Sequence, residues 1–361
     1  FLAADMVGFY FLLAVLSVGA SGLVLQGGTV EALRASAVYL GLALIAEAFL
    51  LAGLVMLAMV TPDGSLLIRD AAAAIPTSPW RDRTLVLLII GLGMKAGLVP
   101  LHFWMPLAYG AAPIPAAAVM SGAVVKASAL ALIRFLPLDV ALPDFGLPLA
   151  AIGLFGAFYG VVIGITQSRP KIVLAYSSVS QMGFLVAVLG MGLAAGDAGA
   201  ARVASFYAAH HLLVKGALFL AAGVIATAGG RRLWWVLALA AILALGIGGL
   251  PLTGGALAKL AVKPVLEDGL VKLLATLSAI GTTLLMLHFL HRLLASASPD
   301  PSASAPVGWV LSWMFMFVAA LVVPWLLYSA TGIDAWSDAL QTKILWAGLW
   351  PLLIGAGLAL G

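Results

Sequence analysis

Apolar runs of about twenty residues follow one another along almost the whole chain, separated by short stretches rich in glycine, proline, serine and charged residues. A helix crosses the hydrocarbon core of a bilayer in roughly 20 residues. The runs therefore predict spans at 5–26, 35–60, 84–106, 115–136, 146–166, 172–194, 203–227, 233–266, 271–294, 307–330 and 341–360. The eighth is too long for one straight crossing, and Gly-Gly-Leu-Pro and Thr-Gly-Gly within 248–255 interrupt it, so it reads as one broken helix. About eleven spans result. Long continuous runs, rather than ten-residue alternation, speak against a β-barrel. The expected fold is an all-α, polytopic transmembrane helical bundle, and the longest polar interruption, Thr61 to Arg83, reads as a loop.

Composition agrees. Of 361 residues, 64% are hydrophobic and 9% charged, against about 25% charged in soluble domains. The chain has no cysteine, which rules out disulfides, thiolate-held iron–sulfur clusters and c-type haem attachment within it. Redox chemistry would sit on a partner, and no cofactor is expected. A net charge of +4 with no basic cluster interleaved with aromatics gives no footing for nucleic acid. Lysine and arginine are spread over both sets of loops, so charge bias does not orient the chain. It opens on Phe1 with no charged leader and cleavage site, and reads as part of a longer protein.

Against this background the charges inside spans stand out. Lys95, Lys126, Lys215, Lys259 and Lys263 fall within predicted spans or their broken middles. A charge at the bilayer centre costs roughly 2.5–3.5 kcal/mol on insertion scales. The plain alternative is snorkelling, in which the lysine stem carries the amine to the interface. It suits Lys263 best, which is followed by Pro264, Glu267 and Asp268. Lys95, Lys126 and Lys215 have about ten apolar residues on either side and point instead to proton transfer, because desolvation brings a buried amine toward proton exchange near neutral pH.

Glu47 is the sole acid deep inside a predicted span, placed to pair with a lysine or to bond, protonated, to a neighbouring helix. In SFYAAHHLLVKGALFL, Tyr207, His211 and Lys215 recur at four-residue intervals and share a helix face, which favours a relay over a lone packed histidine. His210 and His211 are adjacent and point to different faces. His288 and His291, beside Arg292, fit an interfacial role as well as transport. Metal binding would need converging ligands such as His-Glu-x-x-His, and the sequence has none. No nucleophile–base pair or phosphate loop is present either, so no catalytic residue is expected.

Glycine and proline crowd both Lys95 (Gly91, Gly93, Gly97, Pro100) and Lys259 (Gly248, Gly249, Pro251, Gly254, Gly255). Broken helices survive in membranes only where the freed backbone faces protein or water, and a lysine-bearing broken helix in each half is the pattern of inverted-repeat transporters.

Four segments then carry a resemblance. GMKAGLVPLHFWMPLAYGAAPIPAAAVMSGAVVKASALALIR, LAYSSVSQMGF, HHLLVKGALFLAAG and GLPLTGGALAKLAVKP resemble, in order, the signature segments of the antiporter-like membrane subunits. These include the proton-pumping subunits of respiratory complex I (NADH:quinone oxidoreductase), the large subunits of Mrp-type cation/proton antiporters and membrane-bound hydrogenase relatives. The resemblance covers most of Met6 to Arg292. It implies two inverted five-helix repeats, here the remainder of a first repeat (1–136), a second repeat (137–294) and C-terminal transmembrane helices (295–361). It places the broken-helix lysines on Lys95 and Lys259, the bridging lysine on Lys126 and the central pair on His211 and Lys215. Lys126 is similar to the M and N kinds of complex I subunit and to the D-type component of Mrp antiporters, whereas L-type subunits carry histidine where this chain has Ser121. The closing ILWAGLWPLLIGAGLAL is also similar to the D-type Mrp component.

The chain departs from the pattern at Ala14, where the family places the glutamate that pairs with the first broken-helix lysine, and at Ser168 and Arg169, where relatives carry an acid. Unless Glu47 substitutes, Lys95 lacks its partner. The expectation is a proton-translocating subunit of a larger complex in a bacterial inner membrane, with other membrane subunits, the bilayer, protons and, as a further candidate, sodium as partners. The rivals are a non-conducting structural or assembly subunit, and the membrane partner of a peripheral catalytic subunit handling inorganic carbon or hydrogen.

Overall fold

The computed structural model describes residues 3–267, 269–332 and 337–360. These residues form helices and turns with no β-strand among them, apart from one isolated bridge between Asp5 and Leu67. In chain order the helices are α1 (Met6–Leu25), α2 (Val30–Val60), α3 (Ile68–Ala74), α4 (Arg81–Ala96), α5 (Trp104–Ala111), α6 (Ile114–Val119), α7 (Val125–Phe135), α8 (Pro143–Gly164), α9 (Pro170–Ala195), α10 (Gly199–Ala226), α11 (Gly230–Gly248), α12 (Gly254–Val262), α13 (Gly269–Ala295), α14 (Val307–Leu327) and α15 (Thr342–Leu360). A π-helical turn, Met120–Val124, joins α6 to α7. Nine helical segments among the described residues are long and apolar enough to cross a membrane, the α6–α7 composite among them. The pairs α4–α5 and α11–α12 stand at the two sites where the sequence predicts interrupted helices.

Local chemistry sets the ends. The Asp5 carboxylate accepts from the Gly8 amide at 2.7 Å, and the Thr29 hydroxyl accepts from that of Ala32 at 3.0 Å, capping α1 and α2. Pro143 and Pro170 open α8 and α9 at a position that needs no amide donor. The segment expected to be a loop departs from the sequence reading, since it contains α3 and a 3-10 turn, Pro62–Gly64. Ile68, Ala71 and Ile75 recur at helical spacing and are buried, with α3 lying against α7, but polar neighbours on either side hide so short a stripe.

Contacts between connections sort the helix ends onto two sides. On one, the Met6 amide donates to the Leu66 carbonyl at 2.8 Å, Arg134 to that of Ala3 at 2.6 Å and Leu142 to that of Leu193 at 2.8 Å. On the other, Arg169 meets Glu31 at 2.9 Å and donates to the Gly110 carbonyl at 3.0 Å, Arg292 donates to that of Ser168 and Gly229 to that of Ala303. The pair α4–α5 thus runs toward the side from which α11–α12 departs, so the two broken helices run in opposite directions.

The most extensive helix contact joins α8 to α9. Gly146, Gly153 and Gly160 recur every seven residues on α8; the first two face Gly190 and Gly183 on α9, and Gly160 faces the backbone of Tyr176 and Ser180. A Cβ on Gly153 would lie 2.5 Å from the Ala187 nitrogen, and one on Gly190 would lie 2.4 Å from that of Ala150. The backbones touch, the small-residue packing that holds helices together where lipid removes the hydrophobic drive. Gly153→Leu should therefore destabilise the protein by about 1–3 kcal/mol. Gly41→Leu, with no atom within 4 Å of its added Cβ, should be neutral in the same thermal-unfolding measurement on detergent-purified protein.

Candidate functional site

Both broken helices end their first half in the same way. At the end of α4, Gly97 is left-handed (φ 77°), its amide reaches the Met94 carbonyl at 3.2 Å and the Leu98 amide reaches that of Gly93 at 2.9 Å. At the end of α11, Gly249 (φ 107°) bonds to Gly246 at 2.9 Å and Leu250 to Leu245 at 3.1 Å. This is the Schellman closure, which glycine forms without the Cβ penalty. Each closure leaves a helix C-terminus, with its partial negative charge, inside the bundle; the Lys259 amine meets that of α11, and Lys95 lies in the last turn of α4 with its amine turned to other groups.

Lys95 lies in the last turn of α4. Its Nζ donates to the Glu47 carboxylate at 2.7 Å and to the Ser17 hydroxyl at 2.5 Å. Glu47 and Lys95 are buried, with side chains 8% and 7% exposed. Ser17 is one turn after Ala14 on α1 and passes its own proton to the Leu13 carbonyl at 3.0 Å. The Trp104 indole donates to the Met94 carbonyl at 2.8 Å, closing the break from the side of α5. The first broken-helix lysine therefore does have a carboxylate partner, supplied by α2 in place of α1. A small cavity beside it is lined by Ser17, Tyr39, Lys95, Trp104, Val124 and Ser128, the last two flanking Lys126 by two residues on either side.

Lys126 is buried directly after the π turn. A π turn shifts the backbone bonding register by one residue, and here the Ser121 carbonyl accepts from Lys126 Nζ at 2.9 Å. The Ser121 hydroxyl meets that of Ser178 at 3.2 Å, and Ser178 donates to the Leu174 carbonyl at 3.1 Å. That carbonyl also accepts from Lys215 Nζ at 3.0 Å. Lys126 and Lys215, on α7 and α10, are thus joined across α9 through two hydroxyls and two carbonyls. Lys215 is 0% exposed.

Beyond Lys215 lie His211 and His210. His211, one turn earlier, is within electrostatic reach of Lys126, Lys215 and His210, and His210 within that of Lys259. Nε2 of His211 and both ring nitrogens of His210 are buried without a hydrogen-bond partner among the described residues. Buried polar nitrogens of this kind are ordinarily satisfied by water. Both rings line a small cavity with Gln181, Tyr207, Gly255 and Lys259. Tyr207 donates to the Gln181 side chain at 2.5 Å, and Gln181 to Thr282 at 3.2 Å, tying α9, α10 and α13 together. Lys259 reaches back from α12 to the Gly248 carbonyl at 2.6 Å. Its other side opens on a cavity of about 310 Å3.

The structure thus brings Glu47, Lys95, Lys126, Lys215, His211, Tyr207 and Lys259 into one succession. Lys263 stands apart, exposed at the end of α12 on the rim of the larger cavity; Asp268, read beside it in the sequence, lies outside the described residues. His288 bonds to the Gln167 carbonyl at 2.7 Å at one end of the bundle, a structural contact. The sequence reading missed His210, Gln181, Ser121 and Ser178 as members of the row.

A polytopic helical bundle with two oppositely directed broken helices and a buried row of amines defines an integral membrane protein of the antiporter-like kind. The chain belongs to the family described as "NADH:quinone oxidoreductase/Mrp antiporter, TM", which it matches over residues 3–287. It is 36% identical over 242 residues to the N-type component of NADH-quinone oxidoreductase of Desulforudis audaxviator, covering 63% of this chain and 46% of that protein. It is 31% identical over 229 residues to the D-type component of the Na(+)/H(+) antiporter of Alkalihalophilus pseudofirmus, covering 62% and 45%. The chain spans under half the length of both relatives. Among solved structures it shares the fold of a chain in the membrane-bound sulfane sulfur reductase, an archaeal respiratory membrane complex (TM-score 0.74, 22% identity, 96% of this chain and 74% of that one). It shares it also with a chain in the Mrp complex of Dietzia sp. DQ12-45-1b (TM-score 0.71, 23% identity, 99% and 72%).

The Lys95–Glu47 pair is testable as a cycle. Glu47→Leu should cost about 3–5 kcal/mol, because it strands a buried ammonium, whereas adding Lys95→Met should recover most of the loss. Thermal unfolding of the purified single and double variants measures both.

Proposed function

We propose that the chain is the proton-translocating part of an antiporter-like subunit in a larger bacterial inner-membrane complex, of the complex I, Mrp or hydrogenase type. Protons exchange along Lys95, Lys126, Lys215, His211 and Lys259. The observation that carries this reading is that Lys126 and Lys215 are anchored on the Ser121 and Leu174 carbonyls at the two ends of the hydroxyl pair Ser121–Ser178. Carbonyls only accept, so each amine exchanges its proton by swinging off its carbonyl to the adjoining hydroxyl: Lys126 gives one to Ser121 Oγ, Ser121 gives its own to Ser178 and Ser178 gives its own to a neutral Lys215. Serine hydroxyls donate and accept at once, and a purely structural anchor for two lysines would not need them.

Charge supplies the coupling. The row holds four lysines and one carboxylate, and amines in a medium of low dielectric that lie close together cannot all hold a proton. A proton arriving at one amine biases its neighbour to release one. Glu47 fixes one end by pairing with Lys95, which removes the main support for a non-conducting assembly subunit, the alanine at position 14. The two broken helices, opposite in direction, fit a first repeat ending near residue 136 and a second over 137–294. Other membrane subunits are the partners, with protons as cargo and sodium as a further candidate.

Proteoliposomes holding the intact complex, loaded with a pH-sensitive dye, test this. Lys126→Ala and Lys215→Ala should each lower proton-coupled flux at least about 100-fold, the scale of losing a positioned proton donor. Ser178→Ala should lower it roughly three- to tenfold, the worth of one hydrogen bond, and Lys343→Ala, outside the row, should leave it unchanged. Full flux in Lys215→Ala would overturn the proposal in favour of the assembly role.

A further inference from the structure

The relay between Lys126 and Lys215 depends on where two hydroxyl protons point. Ser178 gives its single proton to the Leu174 carbonyl at 3.1 Å, so its oxygen is left to accept and Ser121 is the donor in their 3.2 Å contact. That is the direction a proton leaving Lys126 needs. It leaves the lone pairs of Ser121 Oγ open to a donor, and Lys126 does not fill them at rest, because its amine bonds to the Ser121 carbonyl at 2.9 Å.

Tyr109 lies beside this hydroxyl. It belongs to α5, is 0% exposed, and is held by two rings that meet it edge-on, Trp104 at 6.1 Å and 85° and Phe219 at 5.5 Å and 89°. A buried phenol ordinarily has a hydrogen-bond partner. This one has none in good alignment among the described residues, and the side chain that its oxygen engages is Ser121. Phenylalanine would fill the same space between Trp104 and Phe219, so packing accounts for the ring and leaves the oxygen unexplained.

We infer that Tyr109 is a positioning residue for the relay, its phenol donating to Ser121 Oγ and thereby holding the Ser121 proton on Ser178. This role rests on the proton-transfer reading above. A phenol gives up its proton to a hydrogen bond more readily than an alcohol does, which fixes the order Tyr109, Ser121, Ser178, Leu174 carbonyl. Successive hydrogen bonds polarise one another, so the Ser121 proton passes on more easily. Tyr109 keeps its own proton throughout; the proton that Ser121 gives to Ser178 is replaced by the one from Lys126. Without the phenol, the Ser121 hydroxyl is free to turn to a carbonyl of the preceding turn, as helical serines do, and the relay is open until it returns.

The proteoliposome assay on the intact complex tests this. Tyr109→Phe removes one oxygen and leaves the ring, and should lower proton-coupled flux about three- to tenfold, the scale of one hydrogen bond. Ser121→Ala should lower it at least as much. Adding Tyr109→Phe to Ser121→Ala should cost nothing further, because a residue that acts through Ser121 has no effect once that hydroxyl is gone. Tyr159→Phe, which removes a phenol oxygen on α8 whose ring rests on His102 and Phe155, should leave flux unchanged. With Lys215→Ala impaired in the same vesicles, unchanged flux in Tyr109→Phe, or losses that multiply in the double variant, would overturn the role of Tyr109 and leave the relay standing. Full flux in Lys215→Ala would remove the relay and this role with it.

Discussion

An ammonium group inside a bilayer must find oxygen, and in this protein every deeply placed lysine does. Lys95 finds a carboxylate and a hydroxyl, and Lys126, Lys215 and Lys259 each find a main-chain carbonyl. A regular helix has few carbonyls to spare, since each is engaged by the amide four residues on. Two of the carbonyl acceptors arise where that pattern is perturbed, at the π turn before Lys126 and at the glycine-closed end of α11 before Lys259, whereas the Leu174 carbonyl that meets Lys215 lies within regular α9. At Lys126 and Lys259 the amine and the irregular backbone are thus one feature. Removing the break would strand the charge, and removing the charge would leave buried carbonyls short of donors.

This coupling explains why the rest of the bundle is packed as it is. The carbonyl shared by Ser178 and Lys215 lies on α9, and α9 is held against α8 by glycines at backbone contact. Such an interface fixes α9 in register, so Ser178 stays opposite Ser121 while nothing on the lipid side has to restrain it. Rigidity in the frame also leaves the lysine stems as the parts free to move. A lysine has four rotatable bonds and can swing its amine between a carbonyl and a neighbouring hydroxyl without disturbing the helices.

Much of this is legible in the sequence, and what is not has a physical reason. The spans, the two breaks and the five lysines follow from apolar run length and from glycine and proline placed beside charge. Glu47 is visible as an acid in lipid, but its partner is not, because pairing across α2 and α4 depends on how the helices face each other. Ser121, Ser178 and the Leu174 carbonyl leave no signal: serine is common in membrane helices, and a carbonyl has no residue type. His210 shares no face with Lys215, so helical spacing does not bring it into the row. That same offset turns it toward α12, where an added Cβ on Gly254 would lie 2.9 Å from its ring.

The position of Glu47 bears on how such a row can change while keeping its electrostatics. The resemblance places a carboxylate on the first helix at residue 14, where this chain has alanine, yet Lys95 is paired at 2.7 Å from the second helix instead. Either helix can deliver the acid because both pack around the end of α4: Ser17, one turn past Ala14, reaches the same amine. What the site requires is a negative charge within hydrogen-bond reach of a buried ammonium, since an unpaired one costs several kcal/mol, and it does not require that charge to come from a particular helix. A reading of function from motif positions alone would therefore score this chain as defective at its first lysine, whereas the geometry keeps the charge balance there intact.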